Sequence, residues 1–175
     1  MKNILFDFGN VLFDIDLPRI EREFQLLFGE KHGAVHRSLV SEKIFETWEV
    51  GGLTEPEFLE IISQKANPPI DPEIVRKSWN SIFMEMPAHR FEMLARLREK
   101  YSVFMLSNIN PTHADFIDAY ILREHGHADW QRQFFDAVYY SHLIRLRKPA
   151  RESFEYVLAD AEIRPEDTLF IDDLP

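Results

Sequence analysis

The chain has no cysteine. That excludes disulfide bonds, a thiolate nucleophile and any metal site built on sulfur. It lacks basic excess: 20 Lys and Arg stand against 30 Asp and Glu, a formal net charge of -10. Such a balance argues against nucleic acid or an anionic membrane surface as the main partner, although a local pocket can still bind a small anion. No apolar run approaches the roughly 18 residues of a membrane span. The N-terminus has no basic-then-apolar leader pattern, because Asp7 interrupts the apolar run at once. Repeats and low-complexity segments are also missing, and nothing in the sequence speaks to oligomeric state. What remains is a 175-residue chain, 45% hydrophobic and rich in phenylalanine. It is long enough for one packed domain or a core with an inserted lid, and a cytoplasmic location is expected.

Four short runs read as strands: residues 3–8, 102–106, 137–141 and 168–171. Each is aliphatic, aromatic or β-branched without clean alternation, the signature of strands buried on both faces in a parallel sheet. Helical stripes lie between them. Phe91, Leu94, Leu97 and Arg98 form one, Phe116, Ile117, Tyr120 and Ile121 a second, and Phe154, Val157, Leu158 and Ala161 a third. Strand alternating with helix implies right-handed crossovers and a Rossmann-like, doubly wound α/β sheet.

The span 17–87 carries helix signals and no convincing strand. Asp16-Leu17-Pro18 opens a helix and Gly29 closes it. His32-Gly33 reads as a flexible connection, Gly51-Gly52 as a break, and Thr54 with Glu57 as a capping box. Asn67-Pro68-Pro69 reads as a linker before a helix starting at Asp71-Pro72. Residues 1–16 and 88–175 are therefore expected to form the core, and 17–87 a helical cap inserted after the first strand. An insertion there stands over the C-terminal end of the sheet, where a lid belongs. The sequence stops two residues after Asp173, as a strand ends without a covering helix, so the natural protein is expected to continue past Pro175.

Four polar clusters stand at the tips of these strands. Asp7 ends the first apolar run, followed by Phe8-Gly9-Asn10. A carboxylate there can attack phosphorus and form an acyl-phosphate. Alone it reads more readily as a buried turn cap. Ser107-Asn108 offers a hydroxyl and backbone N–H groups for a phosphoryl oxygen, and alone it is ordinary turn chemistry. Lys148, before Pro149, can neutralise charge on a phosphoryl group; alone it is a solvated loop lysine in a basic patch with Arg145, Arg147 and Arg151. Asp172 and Asp173 repel one another unless a cation compensates, and with Asp7 they supply hard oxygens suited to Mg²⁺. The seven histidines are scattered. His125-Gly126-His127 lacks a third ligand and reads as a solvated loop. The tryptophans read as packing residues, with Trp48 alone placed to face a substrate.

In this order and spacing, Ile4 to Asp16, Leu106-Ser107-Asn108, Arg147-Lys148-Pro149 and Phe170-Ile171-Asp172-Asp173 resemble the four motifs of the haloacid dehalogenase (HAD) superfamily. The similarity is to its helical-cap phosphatases, including sugar-phosphate phosphatases with an Asp-x-Gly-Asn-Val first motif. The resemblance implies Asp7 as nucleophile and Ser107 and Lys148 as catalytic partners. It implies phosphate contacts from Phe8, Gly9, Ser107, Asn108 and Lys148. It further implies Mg²⁺ held by Asp7, the Gly9 carbonyl, Asp172 and Asp173, with Asp173 acting through water or holding Lys148. One departure stands out. The general acid/base aspartate usual two residues after the nucleophile is Gly9 here, a loss worth about 10²–10⁴ in rate unless Asp14 or a cap residue substitutes. The implied activity is Mg²⁺-dependent hydrolysis of a small phosphorylated metabolite, such as a hexose phosphate. The same residues leave two other readings open: a 2-haloacid dehalogenase, and a catalytically weak protein that binds a phosphorylated metabolite.

Overall fold

The computed structural model describes residues 1–174. Four parallel strands form one sheet in the order β3-β2-β1-β4: β1 Asn3–Phe6, β2 Ser102–Ser107, β3 Ala137–Tyr140 and β4 Thr168–Ile171. The α/β class and the four strands agree with the sequence reading. The first and third strands end earlier than expected, at Phe6 and Tyr140, and the second runs one residue further, to Ser107. The chain turns after Asp7, whose N–H still donates to the Ile171 carbonyl at 2.8 Å. Ser141 already begins a helix.

The absence of alternation in β1 has a simple cause: both of its faces are covered. Ile4 and Phe6 pack with Phe91, Leu94, Ile117, Ile121 and Trp130, from helices α6 (Ala88–Arg98), α7 (Pro111–His125) and α8 (Trp130–Phe134). Leu5 points to the other layer, where it meets Leu106, Tyr139 and Val157. Val157 belongs to α10 (Arg151–Asp160), which follows the short α9 (Ser141–Ile144). His125 and His127 flank the end of α7 and lie against the Phe91 ring at 4.9 and 5.0 Å. They are half-buried packing groups rather than a solvated loop.

Between β1 and α6 the chain builds a second hydrophobic centre from helices α1 (Leu17–Phe28), α2 (His32–Ser41), α3 (Ile44–Glu49), α4 (Glu55–Ser63) and α5 (Pro72–Trp79). Thr54 and Glu57 form the expected capping box, and Asp71 accepts from the Glu73 N–H. Asp16 does not cap α1; its carboxylate goes to Arg22 at 2.7 Å. His32 and Gly33 lie inside the first turn of α2, so the break between helices falls at Gly29–Lys31 instead. Trp48 is fully buried and stacked on Phe58 at 4.9 Å, so it does not face a ligand.

The helical unit leaves and rejoins the sheet domain through two paired linkers. Ile15 bridges Phe83 in antiparallel fashion. Asp14 N–H donates to Glu85 O at 2.8 Å, Met84 N–H to Asp14 O at 2.9 Å and Asp16 N–H to Ile82 O at 2.8 Å. Arg90 fastens this ribbon, holding the Asp14 carboxylate at 2.7 Å and the Leu12 carbonyl at 2.9 Å.

Beside the ribbon, His113 is buried against Trp79. Asn110 Nδ2 can only donate, so His113 Nδ1 (3.1 Å) accepts and Nε2–H donates to Trp79 O at 3.2 Å. The ring is thus neutral, and burial holds its pKa down at about 4. A depressed folded pKa means that the unfolded chain takes up a proton first as pH falls. Stability contributed by His113 is therefore present above pH 6.5 and is lost as pH drops toward 4, by about 3 kcal/mol. Denaturant titrations across that window should show wild type losing about that much more stability than His113→Gln. Equal losses would refute the assignment.

Candidate active site

The register places β1, β2 and β4 so that Phe6 lies beside both Met105 and Ile171. The residues just beyond, Asp7, Ser107-Asn108 and Asp172-Asp173, consequently converge at one sheet edge. A cleft of about 670 Å³ opens there, and Asp7, Gly9, Asn10, Ser107, Asn108, Lys148, Asp172 and Asp173 all line it. Sequence positions up to 166 apart have been brought together by strand pairing alone.

Lys148 is the hub. Its Nζ lies 2.8 Å from Asp7 Oδ1 and 2.6 Å from Asp172 Oδ2, with all three side chains 11–15% exposed. The ammonium also sits 5.2 Å from the centre of the Phe170 ring, a cation–π contact. Lys148 is thus held by Asp172 and Asp7; the expectation that Asp173 holds it is corrected. Asp173 is more exposed and accepts from Asn10 Nδ2 at 3.3 Å. Asp7, Asp172 and Asp173 each present an oxygen within 4.8 Å of the others. Three hard carboxylate oxygens that close are the donor set of a small divalent cation, so the residues fit Mg²⁺.

The two buried carboxylates are tuned apart. Burial pushes the Asp7 pKa up, and the hydrogen bond and charge of Lys148 and the Phe8 N–H pull against it without prevailing. Burial acts on Asp172 in the same sense, but there Lys148 and the Leu174 N–H (2.9 Å) win and hold it below the ordinary range.

Two expected substrate contacts change character. The Phe8 side chain is buried, packed on Phe13 and Trp130 at 5.7 and 5.6 Å. Only its backbone faces the site, and its N–H goes to Asp7. The Asn108 amide clamps the Lys148 peptide from both sides, donating to its carbonyl at 2.9 Å and accepting from its N–H at 2.8 Å. Asn108 therefore positions the lysine, and its backbone is what remains for a ligand. Ser107 is buried at the end of β2 and lines the cleft as expected.

Asn10 was not singled out by sequence reasoning. It adopts a left-handed backbone (φ 54) and its Oδ1 accepts the Ile15 N–H at 3.1 Å while its amide reaches Asp173. The signal available was its residue type, since asparagine tolerates that conformation better than most. At position 9 a Cβ would stand 3.0 Å from the Ile15 side chain. Asp14, the alternative acid the sequence offered, is engaged by Arg90.

A carboxylate beside a lysine and an acid pair, at the C-terminal edge of a parallel sheet under a helical insertion, is the arrangement that an aspartate-nucleophile hydrolase requires. A family model for haloacid dehalogenase-like hydrolases matches residues 1–175, and the chain belongs to that family. It is 28% identical to a D-ribitol-5-phosphate phosphatase of Bacteroides thetaiotaomicron, over 99% of this chain and 83% of the relative. A HAD family enzyme of the same organism, solved with magnesium and inorganic phosphate, superposes with a TM-score of 0.85 at 30% identity, covering 99% of this chain and 85% of that one. A HAD-like family hydrolase of Porphyromonas gingivalis gives a TM-score of 0.84 at 30% identity, over 100% and 83% of the two chains. An L-2-haloacid dehalogenase of Xanthobacter autotrophicus, at 19% identity and TM-score 0.55 over 97% and 69%, shares the fold alone.

Proposed function

We propose that the protein is a Mg²⁺-dependent phosphomonoesterase of small phosphorylated metabolites, in the sugar- or polyol-phosphate range. The observation that carries this reading is the shared cleft of Asp7, Lys148 and the 172–173 acid pair. Asp7 attacks phosphorus; the new P–O bond to its carboxylate forms as the ester P–O bond breaks, leaving an aspartyl-phosphate. Water then cleaves that acyl-phosphate and frees inorganic phosphate. Lys148 neutralises the equatorial oxygens, Ser107 and the backbone at Gly9 and Asn108 orient them, and Asn108 holds Lys148 in place. Asp7, Asp172, Asp173 and the Gly9 carbonyl would hold Mg²⁺, which when bound supplies further charge neutralisation on the phosphoryl group. Gly9 offers no side chain and Asp14 is bound by Arg90, so the leaving oxygen draws its proton from elsewhere.

The acid pair separates this reading from dehalogenation, which has no need of a cation site. The test is phosphate release from a panel of sugar and polyol phosphates, D-ribitol 5-phosphate included, before and after chelation. Chloride release from 2-chloropropionate is measured in parallel. Phosphate release that collapses on chelation and returns with Mg²⁺, without chloride release, is the expected result. Chloride release, or no phosphate from any ester, would overturn it.

A further inference from the structure

We propose that Ser141 is a positioning residue that makes the arrangement of the phosphate-holding loops depend on docking of the helical cap. The proposal rests on the phosphatase reading above and adds to it how one cap residue reaches the chemistry. Ser141 follows β3 directly and is fully buried. Its Oγ accepts the Ile109 N–H at 2.9 Å, and two carbonyls compete for its single hydrogen: Glu49 O at 2.6 Å and Ile109 O at 3.1 Å. Glu49 ends α3 in the cap; Ile109 lies two residues past Ser107.

The hydroxyl has one donor and two acceptors in reach. With the cap docked, the nearer acceptor is Glu49 O. If Glu49 withdraws, the hydrogen can turn to Ile109 O, which already takes the His142 Nδ1–H at 2.7 Å and has a second lone pair. Turned that way, Oγ presents its hydrogen rather than a lone pair to the Ile109 backbone, so the Ile109 N–H keeps its acceptor only while the cap is docked. The same cap residue grips the second loop: the Glu49 carboxylate lies 2.9 Å from Arg147 Nη2, one residue before Lys148. A continuous path thus runs from Glu49 through Ser141 to the Ile109 loop, through the Asn108 amide to the Lys148 peptide, and on to Asp7 and Asp172.

Gly51 shows how close the docking is. It sits at φ +70, and a Cβ there would fall 2.4 Å from the His142 carbonyl. Only glycine lets α3 settle on this edge, so Gly51→Ala lifts the cap from the other side of the same seam.

The test is a double-mutant cycle of Ser141→Ala and Gly51→Ala, scored by kcat/KM for the best phosphate ester of the panel. Each single variant should lose about tenfold, since small misplacements away from the chemistry are costly. The double variant should also lose about tenfold rather than a hundredfold, because both act through one contact. Multiplicative losses, or a Ser141→Ala enzyme within about twofold of wild type, would overturn the coupling. Amide exchange at Ile109 reads the same seam without catalysis. It should accelerate about tenfold or more in Gly51→Ala with the rest of the sheet unchanged, and an unchanged rate would refute the proposal. A wild type that hydrolyses no ester would remove the phosphatase reading while leaving the exchange result to decide the coupling.

Discussion

Asp7→Asn should abolish turnover, with phosphate release falling by about 10⁴-fold or more, and it should not destabilise the protein. The first half follows from chemistry: an amide of the same shape neither attacks phosphorus nor offers a charged oxygen to a cation. The second half follows from the pKa direction. The fold raises the Asp7 pKa, chiefly by burial, so at neutral pH the native state disfavours the ionised carboxylate relative to the unfolded chain. Removing the charge relieves that cost, while Lys148 keeps Asp172 at 2.6 Å. Thermal melts of wild type and variant, run without metal, should give a Tm for Asp7→Asn equal to or above wild type. A stability cost for a catalytic group is the usual trade. A variant that melts well below wild type would mean that Asp7 is structural glue.

Lys148→Met should do the opposite to stability. Methionine keeps an apolar stem against Phe170 and discards the ammonium. Asp7 and Asp172 then stay partly buried beside Asp173 with no protein cation between them, a loss of about 3 kcal/mol by analogy with other broken buried pairs. Activity should fall by about 10²–10³, the usual cost of removing one preorganised charge from a transition state. Because the remaining carboxylates lie within 4.8 Å of one another, Mg²⁺ should raise the Tm of Lys148→Met more than that of wild type. A metal-free variant as stable as wild type would return Lys148 to the solvated surface.

Much of the fold was legible because it is written locally. The β4 run 168–171 is bounded as read, since Pro165 and the acid pair punctuate both ends. The capping box at Thr54 is a four-residue signal and forms as such. Misreadings occur where a distant partner outcompetes a local rule. Asp16 has the residue type of a helix cap, yet Arg22 takes its carboxylate. Gly33 has the type of a break, yet α2 runs through it while the turn forms at Gly29. In the site, Asp7, Ser107, Asp172 and Asp173 were legible because polar residues at the tips of apolar strands stand out, and Lys148 because it precedes a proline and a helix. The clamp of Asn108 on Lys148 was not, because it joins a side-chain amide to a peptide group 40 residues away. The seizure of Asp14 by Arg90, across 76 positions, was equally hidden.

The paired linkers at Asp14–Asp16 and Ile82–Glu85 carry one more implication. A segment whose two ends are stitched to each other can be exchanged as one piece, provided that the incoming unit keeps the contacts of the Glu49 carbonyl and Gly51 with Ser141 and His142. If the segment sets the choice of leaving group, that choice travels with the graft. Transplanting residues 17–81 between relatives should therefore move substrate preference as a unit.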